Sequence, residues 1–124
     1  MRDLINRYID AYNRMDVPAM LATMHREVVF ENYTAGVLSV STRGVDELRH
    51  LAESSLHLFA ARRQIITAFR EHGDAAATAD ILFDGTFAID LPNGVRAGQS
   101  MSMTGRSEYR VRDGLLIYIA DYSE

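Results

Sequence analysis

Apolar residues at helical spacing open the chain. Leu4, Ile5, Tyr8, Ile9, Tyr12 and Met15 share one side of a helix predicted from Leu4 to Met15. Arg7, Asp10, Asn13 and Arg14 fall largely on the other side, and Asp3 is placed to cap the start. Asp16-Val17-Pro18 restarts the chain. Asp16 can cap, and Pro18 suits a first turn, where its missing N–H would have no partner anyway. A second helix is predicted from Val17 to Met24, with Val17, Met20, Leu21 and Met24 inward. Glu27 to Tyr33 reads as a strand centred on Val28-Val29-Phe30. Thr34-Ala35-Gly36 breaks it, and Val37 to Thr42 forms a short β-branched strand. Gly44 precedes a third helix whose Asp46 and Glu47 suit the positive end of the helix dipole. Its inward stripe is Val45, Leu48, Leu51, Ala52, Ser55 and Leu56, and it should end near Leu58.

The remainder reads as strand. Gln64 to Glu71 leads to the turn His72-Gly73-Asp74. Ala75 to Leu91 follows, then the turn Pro92-Asn93-Gly94, then Val95 to Arg112. Asp113-Gly114 is the dipeptide that type I′ hairpins favour, and Leu115 to Tyr122 closes the pattern. The two middle segments exceed ordinary strand length, and Gly85, Gly98 and Gly105 mark positions where they could bulge or bend. Ile81, Phe83, Phe87 and Ile89 share one face, while Asp80, Asp84, Thr86 and Asp90 share the other. Met101, Met103, Tyr109 and Val111 likewise oppose Ser100, Ser102, Thr104, Glu108 and Arg110. Such alternation fits an antiparallel sheet with one face on helices and one face wetter. Helices first and strands afterwards predict an α+β domain, with three helices against one curved, mixed sheet.

Composition narrows the class. With 124 residues, the expectation is a single domain over 1–124. Hydrophobic residues at 48% and charged residues at 24% suit a globular chain and exclude disorder. Lys plus Arg number 13 against 17 Asp plus Glu, so the net charge is −4. That balance lacks the footprint of a nucleic-acid binder. Cysteine is absent, which removes disulfides, thiolate metal sites and cysteine nucleophiles and fits a reducing compartment. No apolar run approaches the roughly 18 residues of a membrane span. Met1-Arg2-Asp3-Leu4 is not followed by the apolar core of a signal peptide. The expected location is therefore cytoplasmic, with neither nucleic acid nor membrane as partner.

A few side chains carry candidate chemistry. Tyr8 and Tyr12 lie four apart on the buried face of the first helix. A buried phenol needs a partner and is a candidate oxyanion donor, or simply a core aromatic bonded to backbone. Asp121 alternates with Leu115, Ile117 and Ile119. A carboxyl continuing an apolar stripe either has its pKa raised by burial or sits at the wet end of the stripe. His25, His50, His57 and His72 form no H-x-H or H-E-x-x-H pattern, so no metal is expected. His57, near the end of the third helix, is placed either to line a pocket mouth or to cap that helix. The methionines, Met24 among them, suit a core or an adaptable apolar pocket. Walker, G-x-G-x-x-G and G-x-S-x-G motifs are absent.

Several segments together resemble a known superfamily. They are Asn6-Arg7-Tyr8, the corner Asn13-Arg14-Met15-Asp16, and Met20-Leu21-Ala22 ahead of Val28-Val29-Phe30-Glu31-Asn32. The helix start Thr42-Arg43-Gly44-Val45-Asp46-Glu47-Leu48 and the closing Asp113-Gly114-Leu115-Leu116-Ile117 add to them. The chain resembles the nuclear transport factor 2-like superfamily and, within it, the SnoaL-like group that contains polyketide cyclases. The resemblance implies a cone-shaped, cystatin-like fold with a pocket at its open end, a small apolar molecule as ligand, and homodimerisation through the sheet. Members include isomerases, cyclases, dehydratases, epoxide hydrolases and modules without chemistry, so the fold alone does not settle the function.

By the same resemblance, Tyr8 matches the oxyanion-donating tyrosine of the ketosteroid isomerase branch. Asn32 stands where that branch carries its general-base aspartate, and an amide cannot take and return a proton as a carboxylate does. Asp121 is a loose match to the late catalytic aspartate of SnoaL-like cyclases. The expected site has Tyr8 and Asp121 in catalysis, with Tyr12, Asn32, His57, Met24 and Tyr109 around the ligand. The protein would supply acid and base itself, so no cofactor is required. The reaction implied is isomerisation, cyclisation or dehydration of an apolar carbonyl compound. The alternative is a non-catalytic binding or assembly module, which Asn32 favours.

Overall fold

A computed structural model describes residues 1–123. Three helices lead into six strands: α1 (Arg2–Asn13), α2 (Val17–Leu21), β1 (Met24–Thr34), β2 (Val37–Arg43), α3 (Val45–Ser55), β3 (Phe59–Glu71), β4 (Ala76–Phe87), β5 (Ser100–Arg112) and β6 (Leu115–Ser123). A 3₁₀ turn, Leu56–Leu58, joins α3 to β3. The strands form one mixed sheet in the order β2-β1-β6-β5-β4-β3. Only β1 and β6 run parallel among these neighbours; the other pairs are antiparallel. The α+β class with helices packed on a mixed sheet is the one the residue pattern predicts.

The apolar stripe of α1 buries Leu4, Ile5, Tyr8 and Ile9, with the small Ala11 allowing close approach. These pack with Val17 and Met20 of α2, Leu48 and Ala52 of α3, and the inward residues of the sheet, including Tyr109, Leu116 and Ile119. Asp16 caps α2 as expected, its Oδ1 accepting from the Ala19 N–H at 3.1 Å. Such a cap contributes about 1 kcal/mol. The Asp113-Gly114 turn also forms as expected, with φ of 53° and 74° at the two positions, the positive pair that a type I′ hairpin requires.

Several local expectations are corrected. Asp3 does not cap α1; the helix starts at Arg2, and Asp3 lies in its first turn without a capping bond. α1 stops at Asn13 rather than Met15, because Met15 takes a left-handed φ of 58°. α2 ends at Leu21, so Met24 opens β1 instead of closing a helix. β3 begins at Phe59 and not at Gln64.

The long middle strands stop short of Leu91 and Val95, leaving residues 88–99 as a loop. There Asp90 accepts from the Ala97 N–H and Gln99 from the Arg96 N–H. These side chains take the backbone donors that a longer ladder would have used.

Candidate functional site

Strand register brings the site together. Ser107 on β5 pairs with Asp121 on β6, and Asp121 pairs with Asn32 on β1. Residues level with one another on adjacent strands point to the same face. Ser107, Asp121 and Asn32 thus form a polar row across three strands, on the side where Tyr109, Ile119 and Ala79 are buried against the helices.

The expectation that Asp121 shares its face with Leu115 and Ile117 is corrected here. β5 and β6 change register between Arg110 and Val111: Arg110 faces Tyr118, but Val111 faces Leu116. Ile117 is the extra residue of this bulge, and the faces exchange across it. Leu116, not Leu115 or Ile117, is the fully buried neighbour of Ile119.

A cavity of about 190 Å³ opens over this row. Tyr12, Asn32 and Asp121 line it, together with Gln64, Phe83, Met103 and Ser107. Gln64, Phe83 and Met103 are themselves a cross-strand row on β3, β4 and β5. Apolar walls therefore surround a small set of polar groups, as in ordinary small-molecule sites.

Burial pushes the Asp121 carboxyl up from 3.8 to about 6, against a hydrogen bond from Ser107 that favours the ionised form. That bond runs from Ser107 Oγ to Asp121 Oδ1 at 2.7 Å. Burial also raises the Tyr12 hydroxyl above its ordinary value, although the charge of Arg62 pulls it down. The Arg62 guanidinium lies 3.8 Å over the Tyr12 ring, and its Nε donates to the Tyr12 carbonyl at 3.0 Å. Both phenols of α1 thus stay protonated at neutral pH and able to donate.

The remaining expected residues fall in different places. Tyr8 is buried behind the cavity, 6.4 Å ring to ring from Tyr12, and does not line it. Its hydroxyl is raised well above its ordinary value, first by burial and then by the nearby charge of Asp121. Tyr109 is also buried and raised, by burial first and Asp121 second, with Ser107 opposing. Asn32 lines the cavity with its amide nitrogen given to Ser39 Oγ at 2.9 Å.

Met24 and His57 do not join the site. Met24 is a core residue paired with Leu116 at the opposite end of the parallel pair. His57 is exposed on the 3₁₀ turn and is not a lining residue, because that turn directs it outward ahead of β3. Among the described residues, no group of three or more His, Asp or Glu gathers as a metal site would require.

Sequence reasoning missed Gln64, Ser107 and Arg62, all three buried. The available signal was their place in an inward row: Arg62, Gln64 and Ile66 alternate along β3.

Known proteins with this architecture are numerous. A proposed polyketide cyclase from Xanthomonas campestris pv. campestris superposes with a TM-score of 0.80 at 19% identity, covering 99% of this chain and 89% of the other. IdmH, a proposed polyketide cyclase from Streptomyces antibioticus, gives 0.79 at 17% identity over 99% and 91%. An epoxide hydrolase of the LEH-like type from M. tuberculosis gives 0.78 at 16% identity over 98% and 80%. At these identities the likeness concerns the fold. No curated protein matches the sequence. No helix is long and apolar enough to cross a membrane. The SnoaL-like domain family matches residues 5–119, nearly the whole length, and the chain belongs to that family.

Proposed function

We propose that the cavity binds a small, largely apolar carbonyl compound and moves a proton on it by acid–base chemistry. The observation that carries this reading is Asp121, a carboxyl with a pKa raised to about 6 in the wall of an otherwise mostly apolar cavity. A base of that strength is half ionised at about pH 6, mostly ionised at neutrality, and holds a proton well enough to return it. As carboxylate, Asp121 takes a proton from the carbon next to the carbonyl. The C–H electron pair moves into the new C=C bond, and the carbonyl π pair moves onto oxygen. The Tyr12 hydroxyl, kept neutral by burial, is placed to donate to that oxygen. Asp121 then returns the proton to the same or another carbon, giving isomerisation; an enolate that attacks a second carbonyl gives cyclisation instead. Tyr8 stands behind Tyr12 and supports this pair rather than touching the ligand. The whole step uses only groups of the protein.

The second reading, a binding module without chemistry, is favoured by Asn32, which sits beside Asp121 and cannot exchange protons. We also place the protein in the cytoplasm and read it as a homodimer through the outer sheet face. There Tyr33 and Tyr122 stack at 4.8 Å, and Arg106 lies over Tyr122 at 4.7 Å.

The test is α-proton exchange of 2-tetralone in deuterated buffer, followed by proton NMR. Acid–base catalysis predicts exchange well above the buffer rate, rising through about pH 6 and lost in Asp121→Asn. Wild-type exchange no faster than that of Asp121→Asn leaves the binding module as the correct reading.

A further inference from the structure

Gln64 is held more firmly than its place on a sheet edge would suggest. β3 is the last strand of the sheet, so the backbone groups on its outer side lack a strand partner. Asn13, at the end of α1, supplies both bonds. Its Oδ1 accepts from the Gln64 N–H at 2.7 Å, and its Nδ2 donates to the Gln64 carbonyl at 3.0 Å. The side chain then stands on the helix-facing side, level with Phe83 and Met103 and in the cavity wall.

One end of this carboxamide meets the Tyr12 hydroxyl. The other end, Oε1, is buried and bonded to nothing. Gln64 is only 8% exposed. A buried carbonyl oxygen without a donor is rare in folded proteins and points to a missing partner. Phe83 and Met103, level with it on the next two strands, carry no N–H or O–H on their side chains.

We propose that Gln64 reads a hydroxyl group on the ligand, separate from the carbonyl whose neighbouring carbon Asp121 serves. This deepens the acid–base reading above and rests on the same cavity. A hydroxyl is the fitting group because it both donates and accepts. Turning the carboxamide over would present its NH₂ instead, and a ligand hydroxyl would still pair. An ether or a bare ring would leave Oε1 as it is. Gln64 lies level with Phe83 and Asp121 level with Ala79 through Ser107, four residues apart on β4, so the two side chains meet different parts of the ligand.

Binding of 2-tetralone, its 6-hydroxy and 7-hydroxy derivatives and 6-methoxy-2-tetralone, titrated by NMR, tests this. At least one hydroxy compound is expected to bind ten-fold or more tightly than 2-tetralone, with no such gain for the methoxy compound. The gain should disappear in Gln64→Met. In the wild type, the side-chain ¹⁵N resonance of Gln64 should shift with the hydroxy ligand and not with 2-tetralone, a readout that stands even if the variant fails to fold.

Equal affinities across the series, a preference that persists in Gln64→Met, or no binding of any member at millimolar concentration would overturn the proposal. The same titrations in Asp121→Asn separate it from the catalytic reading. A hydroxyl preference retained there, with no proton exchange in the wild type, removes catalysis and keeps the role of Gln64. Exchange without any preference does the reverse.

Discussion

Ser107 Oγ donates to Asp121 Oδ1 at 2.7 Å, from the position directly level with it on the neighbouring strand. Two opposing effects meet at this one carboxyl. Burial disfavours its charge, and the serine hydroxyl favours it. Burial wins, because one neutral donor replaces only part of the hydration that an ionised carboxylate loses. The result is a group whose protonation changes near neutrality.

The first consequence concerns stability against pH. In the unfolded chain Asp121 ionises near its ordinary value of 3.8, and in the folded protein near 6. Between these values the folded state binds the extra proton, so stability falls as pH rises through that window. About two pH units correspond to about 3 kcal/mol. Asp121→Asn removes the titration and should be more stable than the wild type at pH 7.5 by up to that amount. Near pH 4 the two should be close to equal. Urea denaturation at both pH values checks this, and a constant difference between them would contradict the assignment.

Ser107→Ala removes the donor that favours the ionised form. The Asp121 carboxyl should then titrate above about 6, and any exchange activity should shift its pH profile upward in the same direction. A variant that lost activity with no shift would point to a packing role for Ser107. Carboxyl ¹³C NMR of Asp121 reads the value directly. Tyr109, whose hydroxyl Ser107 also opposes, remains protonated throughout and does not confuse the titration.

How far the sequence reveals this site depends on the kind of residue. The helix stripes, the Asp16 cap and the Asp113-Gly114 turn are local, and each declares itself within a few residues. Asp121 was visible as a carboxyl continuing an apolar alternation, but its face was not. The bulge at Ile117 moves the alternation by one residue, and no residue type marks a bulge there. Gln64 and Arg62 were passed over for another reason. Polar side chains on a strand read as the solvated face, and only the helix packed over β3 shows that they point inward. Asn13 is hidden in the same way, since its partner is fifty-one positions away.

Gly105 is set by a close approach of backbones rather than by an unusual φ. A Cβ built there would stand 2.5 Å from the Tyr122 carbonyl oxygen, which belongs to the paired strand and cannot swing aside. Gly105→Ala should destabilise the protein by about 1–3 kcal/mol through displacement of β6. Because Gly105 and Tyr122 both line the cavity, ligand affinity should fall as well. Gly85→Ala offers the contrast. Its Cβ would meet the Phe59 ring at 2.9 Å and the Phe83 ring at 3.1 Å, contacts with side chains and not with a strand backbone. The smaller loss is expected at Gly85, and thermal denaturation of the two variants side by side decides it.

Asn13 couples the end of α1 to the edge of the sheet. Its carboxamide presents one donor and one acceptor in the arrangement of a peptide group, so it pairs with Gln64 as another strand would. Asn13→Ala leaves the N–H and C=O of Gln64 without those partners in a half-buried setting. A loss of about 1–3 kcal/mol is expected from the two bonds together. Asn13→Asp keeps the acceptor for the N–H but sets a carboxylate against the Gln64 carbonyl, so it should not restore stability. Hydrogen exchange of the Gln64 amide gives the local readout. It should accelerate in Asn13→Ala beyond any change at Phe83, its partner on β4, because only the outer edge is released. Equal acceleration at both positions would mean that the clamp acts on the sheet as a whole and not on the placement of Gln64.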